Sequence, residues 1–317
     1  MPVTVRSFAK INLGLYIGPP RADGFHDLRT LYQTIALHDV IRVRVVRGTG
    51  IAITCADRRV PCDASNTCYR MAERVMEELD ASGRVEIEIE KRLPVQGGLG
   101  AGSSNAIATL IGMERALKKR MPQARRLRVA AAVGSDLPLF LVGGTVLGVG
   151  RGEEVYPLPD FPATPLVVVT PEVGVSTPRA FADWDQLTAS GASDRLLEVG
   201  RALSAWLVSP NTGASARGRS RDGSLLPDLV RTGIENDFER VVFPQYPELR
   251  DMKGALERAG AVYASLSGSG ATLYGLFQSR AAAARAENRL RKQGLRALAT
   301  TTLTRSQYWK KLLVAGR

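Results

Sequence analysis

The chain has 317 residues, 43 of them lysine or arginine against 31 aspartate or glutamate, which leaves a formal net charge of +12. With 44% hydrophobic and 23% charged residues it is expected to be globular and long enough for two domains; no apolar run reaches the roughly 18 residues of a membrane span, so no membrane partner is expected. Met1-Pro2-Val3-Thr4-Val5 lacks the basic and apolar regions of a secretion signal, and Cys55, Cys62 and Cys68 form no C-x-x-C pair, which points to reduced thiols in a cytoplasmic protein rather than a disulfide framework or zinc site.

Between residues 3 and 17 the odd positions are apolar, so Lys10 and Asn12 project from one face of an extended segment. Residues 18–28 form a proline, aspartate and glycine turn that ends in the aromatic-histidine pair Phe25-His26. Residues 28–37, 40–46 and 51–54 are predicted strands of a meander broken at Gly48 and Gly50. Asn66 is placed to cap a helix running to about Leu79, with Ala72, Val75, Met76 and Leu79 on its buried side. Alternation of apolar and acidic residues predicts a strand over 85–90.

Four glycines then crowd ahead of two serines, from Pro94 to Ser104, and Ala106, Leu110, Met113 and Leu117 follow at helical spacing. Strand, glycine-rich turn and helix make a backbone that a ligand can approach closely, at a helix start where free amides and the macrodipole favour an anion; Ser103 or Ser104 is placed to cap it. No Gly-Lys-Ser/Thr ends the loop and no G-x-G-x-x-G frame fits, so the Walker, dinucleotide and protein-kinase loops are excluded. A further helix over 123–133 leads to Gly134-Ser135-Asp136-Leu137-Pro138, where the proline biases Leu137 to extended backbone and leaves Asp136 in a rigid turn.

A glycine-rich hairpin over 142–158 precedes Pro159, Pro162 and Pro165, and the domain boundary is expected there, giving lobes 1–158 and 159–317. Residues 166–170 are an apolar strand, and Thr177 stands where it could cap a helix. The polar, basic stretch 208–225 cannot bury enough apolar surface to order itself and is expected to be a flexible loop. Strand, turn, strand and helix close the chain, with Ser267-Gly268-Ser269-Gly270 as the tight turn.

These segments resemble, in order and spacing and over nearly the full length, the small-molecule kinases named for galactose, homoserine, mevalonate and phosphomevalonate, the GHMP kinases. Residues 7–13 are similar to the motif S-P-A-K-x-N, with Phe8 for its proline. Pro94 to Ser104 resembles the phosphate-binding motif, with Gln96 and Ala101 where glycine is more frequent. Residues 134–138 resemble G-A-D-V-P, whose aspartate faces the acceptor hydroxyl, and Gly268-Ser269-Gly270 resembles the motif that packs against the phosphate loop. Residues 171–178 are similar to a segment whose threonine lies near the substrate, and 235–239 to one that supports the fold.

The resemblance implies an α+β, two-lobed fold with the site in the cleft and ATP-dependent phosphoryl transfer to an alcohol. In that reading Pro94, Val95, Gln96, Gly97, Gly98, Leu99, Gly100, Ala101, Gly102, Ser103 and Ser104 hold the triphosphate, Asn66 contacts adenine, and Mg²⁺ binds through the Ser104 hydroxyl. Asp136 accepts or orients the hydroxyl proton, and Lys10 keeps Asp136 ionised and stabilises the transferring group. An Arg-x-Asp-Gly-Tyr-His segment marks one branch, in which the aromatic ring and histidine hold a cytosine; Phe25 keeps the stacking surface and loses the hydroxyl. That branch implies a small-molecule substrate, a cytidyl diphosphate sugar alcohol, contacted by Asn12, Phe25, His26 and Thr177, and a monomer or weak homodimer.

The alternatives are another branch, such as homoserine or mevalonate kinase, and a basic RNA-binding protein. The arginines are spread over amphipathic segments such as 115–128 and 280–296 without aromatic platforms, so solvated helix faces account for the charge and no nucleic-acid partner is expected.

Overall fold

The apolar alternation near the start forms β1 (Val3–Pro20), paired antiparallel along most of its length with β2 (His26–Val46). The computed structural model describes residues 1–95, 97–188, 200–201, 204 and 234–314. Gln96 and the 208–225 stretch lie outside these described residues. Beyond β3 (Ile51–Cys55) come α1 (Thr67–Glu78), β4 (Arg84–Glu90), α2 (Ala101–Leu117), α3 (Gln123–Val133), α4 (Leu139–Val142), β5 (Thr145–Val149) and β6 (Glu154–Pro157).

β2 is the spine of the first sheet: one edge carries β1, and the other carries β5 at its start and β4 at its end. The meander expected over 28–54 is corrected in two ways. Residues 28–46 form one strand rather than two, bent where three residues of β2 face Ala9 alone. β3 does not return against β2; it runs parallel to β4, with α1 as the crossover. Ion pairs cross the β2–β4 ladder: Arg42 reaches Glu88 and Glu90 at 2.7 Å each, and Arg44 reaches Glu86 at 3.1 Å. Such exposed pairs contribute less than about 1 kcal/mol each, so they specify register more than stability.

On the inner face, Val5, Ile41, Val43, Val85 and Ile87 pack against Met71 and Val75 of α1, Ala106, Leu110 and Met113 of α2, and Val129 of α3. The Asn66 cap is as expected: its Oδ1 accepts from Cys68 N at 2.8 Å. None of Cys55, Cys62 and Cys68 is disulfide-bonded, and burial pushes the Cys68 thiol up to about 12.

The second sheet holds β7 (Pro165–Val169), β8 (Tyr263–Leu266), β9 (Leu273–Leu276) and β10 (Ala297–Thr301) in the order β10-β7-β9-β8, all antiparallel. It is covered by α5 (Thr177–Thr188), α6 (Glu239–Gln245), α7 (Pro247–Arg258) and α8 (Arg280–Lys292) through Trp184, Val242, Leu256 and Leu290. Residues 235–239 tie the sheets together: Asn236 Nδ2 donates to the carbonyls of Leu266 and Gly268, and Asp237 Oδ2 accepts from Ile17 N at 2.9 Å. A third apolar cluster joins Ala9, Ile11 and Leu13 of β1 to Leu166, Val168 and Tyr274 of the second sheet. The last helix, α9 (Arg305–Leu312), returns to the first core, where Tyr308 packs on Phe8 and donates to Phe140 O at 2.7 Å. Among the described residues no helix is long and apolar enough to cross a membrane.

Burial holds the phenols of Tyr32, Tyr263, Tyr274 and Tyr308 above their ordinary value of 10. Above pH 10 the unfolded chain releases protons that the native chain keeps, so stability falls as pH rises through and beyond that value. Four of the eight tyrosines are therefore expected to show tyrosinate absorbance only when the protein unfolds. A titration in which all eight ionise with native circular dichroism retained would contradict this.

Candidate active site

Because Ala9, Ile11 and Leu13 face the third core, Lys10 and Asn12 face the other way, into the cleft. Lys10 N donates to Leu99 O at 3.0 Å, which fastens β1 to the glycine-rich loop. The Lys10 ammonium donates to Asn12 Oδ1 at 2.6 Å, and Asn12 Nδ2 donates to Thr30 Oγ1 at 2.7 Å, so the amide is fixed from both ends. Lys10 Nζ stands 3.4 Å from Asp136 Oδ2, with the lysine side chain 4% exposed and the aspartate 34%. Tyr32 OH donates to Asp136 Oδ1 at 2.9 Å, and its ring lies 5.5 Å from Lys10 Nζ. Burial and the neighbouring Asp136 carboxylate keep that phenol protonated, so it stays a donor at neutral pH. The carboxylate is thus gripped by a phenol and a cation while a third of the side chain remains exposed.

The glycine loop is held from two sides. Gly98 has φ +80°, and a Cβ there would meet Ser267 O at 2.1 Å; Ser267 Oγ donates to Gly98 O at 3.0 Å. The Gly268-Ser269-Gly270 turn therefore seats on the loop, as the resemblance implies. Gly100, with φ +67°, is the N-cap of α2, and no side chain caps this end. This corrects the expectation for Ser103 and Ser104, which lie inside the first helical turn. A left-handed glycine at the cap lets the chain enter the helix within van der Waals reach of Lys10, leaving the first amides free for an anion.

Asp39, fully buried, organises the loop's base. Its carboxylate accepts from Lys91 Nζ, Arg92 N and Leu93 N at 2.7 Å each and from Asn105 Nδ2 at 3.1 Å. With its Nδ2 fixed on Asp39, Asn105 presents Oδ1 to the Ser7 hydroxyl at 2.6 Å, so Ser7 donates there. Ser7 Oγ is also the donor to Ser104 Oγ at 2.7 Å, so the Ser7 hydroxyl is shared between Asn105 and Ser104.

A cavity of about 360 Å³ lies between the loop and the start of α1. Pro94, Val95, Gly97, Gly98, Leu99, Gly100, Ala101, Gly102 and Ser103 line it, with Pro61, Asn66, Thr67 and Lys91 opposite. Ser104 is buried behind this wall. Asn66 has both polar ends engaged, by Cys68 N and by Pro61 O at 2.6 Å, so it shapes the wall. The volume falls in the ordinary range for small-molecule sites.

On the cleft's other side, α5 places Thr177, Phe181 and Asp185 at helical spacing. Thr177 Oγ1 and Ser269 Oγ are 2.6 Å apart, Phe181 stacks on the His26 ring with centroids 4.9 Å apart, and His26 Nε2 pairs with Asp185 Oδ1 at 2.7 Å. Phe25 is half exposed, with the Arg151 guanidinium 4.9 Å above its ring. The sequence reading did not single out Tyr32, Asp39, Lys91, Phe181 or Asp185. The four-residue spacing from Thr177 was the available signal for the last two.

Family models for the GHMP kinases N terminal domain and GHMP kinases C terminal match residues 66–144 and 217–295. The 4-diphosphocytidyl-2-C-methyl-D-erythritol kinase of Solibacter usitatus is 39% identical over 282 residues, 89% of this chain and 83% of that protein. The protein of the same name from Geobacter sulfurreducens is 32% identical over 301 residues, 95% of this chain and 99% of its own. A solved 4-(cytidine 5'-diphospho)-2C-methyl-D-erythritol kinase aligns with a TM-score of 0.71 at 29% identity, covering 94% of this chain and 98% of that one. A homoserine kinase from Cytophaga hutchinsonii aligns with a TM-score of 0.70 at 23% identity, over 96% of this chain and 95% of its own, a likeness of fold alone.

Proposed function

The chain belongs to the GHMP kinases, among the 4-diphosphocytidyl-2-C-methyl-D-erythritol kinases, and from that premise we propose how its residues carry the activity. It is an ATP-dependent small-molecule kinase of isoprenoid precursor synthesis. The acceptor is the 2-hydroxyl of the cytidyl substrate. The supporting observation is the Lys10–Asp136 pair at 3.4 Å, with Lys10 bonded through its backbone to the glycine loop.

Phosphoryl transfer needs placement and charge neutralisation rather than covalent chemistry on the protein. The amides at the start of α2 hold the triphosphate, in the cavity whose far wall includes Asn66. Asp136 takes the proton of the acceptor hydroxyl through its open side, while Tyr32 and Lys10 fix the direction of its lone pairs. Lys10 then faces the charge that develops on the transferring group. The Ser104 hydroxyl does not fit the Mg²⁺ role expected of it, because it is buried behind the cavity wall and accepts from Ser7, so no step is routed through the ion there. Asn12 and Thr177 line the acceptor's side, and Phe25 and His26 take the cytosine.

ADP release with 4-diphosphocytidyl-2-C-methyl-D-erythritol, homoserine and mevalonate as acceptors tests the substrate; turnover is expected with the cytidyl compound alone, and preference for either other alcohol would overturn the reading. Base-on-aromatic stacking is worth about 1–3 kcal/mol, so Phe25→Ala should raise the KM for the cytidyl substrate about tenfold with kcat little changed. An unaltered KM would remove Phe25 from the base site.

A further inference from the structure

We propose that Arg151 is the anion-binding residue for the diphosphate of the cytidyl substrate, a proposal that rests on the substrate reading above and extends it. Arg151 lies in the turn between β5 and β6. That turn is fastened to the entrance of β2, since Leu28 N donates to Gly150 O at 2.6 Å. Its other end lies against the acid-base machinery: a Cβ at Gly152 would come within 2.5 Å of Tyr32 OH and 4.0 Å of Asp136 Oδ1. From this turn the Arg151 side chain reaches out to the face of Phe25, 4.9 Å from the ring centroid. The turn therefore lies beside the carboxylate that meets the hydroxyl, and the one side chain that leaves it lies over the ring that meets the base.

A cytidine diphosphate ester of a polyol has its base at one end, its reacting hydroxyl at the other and its diphosphate between them. With the ends assigned to Phe25 and Asp136, the anionic link runs past the turn that carries Arg151. The side chain is prepared for this. Its backbone N and its Nε both donate to Glu153, at 2.6 and 3.1 Å, which fixes the stem. No hydrogen bond from its two terminal nitrogens is found among the described residues, and the side chain is 30% exposed. A guanidinium anchored through Nε, with its terminal N–H groups open, matches the paired oxygens of a diphosphate. Arg151 also acts by charge on Asp23 in the Phe25 turn, without a hydrogen bond to it among the described residues.

The test compares cytidine with CDP as inhibitors competitive against the cytidyl substrate, at saturating ATP, in the wild type, Arg151→Gln and Arg151→Lys. Charge-assisted hydrogen bonds predict that the wild type holds CDP about tenfold or more tightly than cytidine. In Arg151→Gln that advantage should vanish while cytidine affinity stays within about twofold and the KM for ATP is unchanged; Arg151→Lys should restore part of it. Equal weakening of cytidine and CDP would reduce Arg151 to a support for Phe25, and no weakening of either would reduce it to a surface ion pair; both overturn the proposal. A wild type that phosphorylates the cytidyl compound yet binds CDP no better than cytidine overturns it too, leaving the substrate assignment standing, whereas a wild type that does not turn over the cytidyl compound overturns both.

Discussion

Asp136→Asn is expected to lower kcat about a thousandfold with the fold and ATP affinity intact, since a positioned base contributes roughly 10²–10⁴ in rate. The amide is nearly isosteric and can still accept from Tyr32 OH, so what it loses is basicity toward the acceptor proton and charge beside Lys10. Lys10→Ala should cost a comparable factor for a different reason: the transferring group loses its facing cation, an electrostatic contribution of about 10²–10³. Because Lys10 is buried, its removal also frees Asn12, so thermal unfolding has to be measured beside turnover. Single-turnover rates with ATP binding checked separately decide the matter. Near-wild-type turnover in either variant, with an unchanged melting curve, would show that the pair does not perform the chemistry.

Asp39→Ala should be the most destabilising single change around the loop, at about 3–5 kcal/mol, the range for removing one partner of a buried ion pair. Four donors converge on this carboxylate, and Lys91, 7% exposed, would be left as an uncompensated charge. The damage would spread along the chain of hydrogen bonds, because Asn105 would lose the partner that fixes its amide and Ser7, which donates to both Asn105 and Ser104, its certain acceptor. The KM for ATP is therefore expected to rise together with a fall in the denaturant midpoint. Asp39→Asn should recover part of the stability, since its oxygen still accepts, but its amide nitrogen faces donors. An unchanged midpoint in the alanine variant would mean that Lys91 and the two loop amides find other partners.

What could be read in the chain was what lies close along it. The strand-loop-helix around Pro94 to Ser104, the shared face of Lys10 and Asn12 and the cap at Asn66 depend on neighbours a few residues away, and local periodicity reports them. The serine cap failed because the pattern does not distinguish a serine before a helix from one in its first turn, and Gly100 supplies the cap by backbone conformation alone. The meander failed because sheet order is decided by a partner that arrives later; β4 enters beside β2 only after α1. Asp39 meets Lys91 across 52 positions and His26 meets Asp185 across 159, distances at which no spacing rule operates. Lys10, the glycine loop and Asp136 were legible as a candidate site because each sits in a recognisable local motif, although only the fold brings them together.

The return of α9 to the first sheet fixes an order of events during synthesis. Tyr308 and Leu312 fill places beside Phe8 and Phe140, side chains made some 300 and 170 residues earlier. The half of the molecule that leaves the ribosome first is thus the half that is finished last, and until the second sheet has been made it exposes an oily seam that a chaperone could hold.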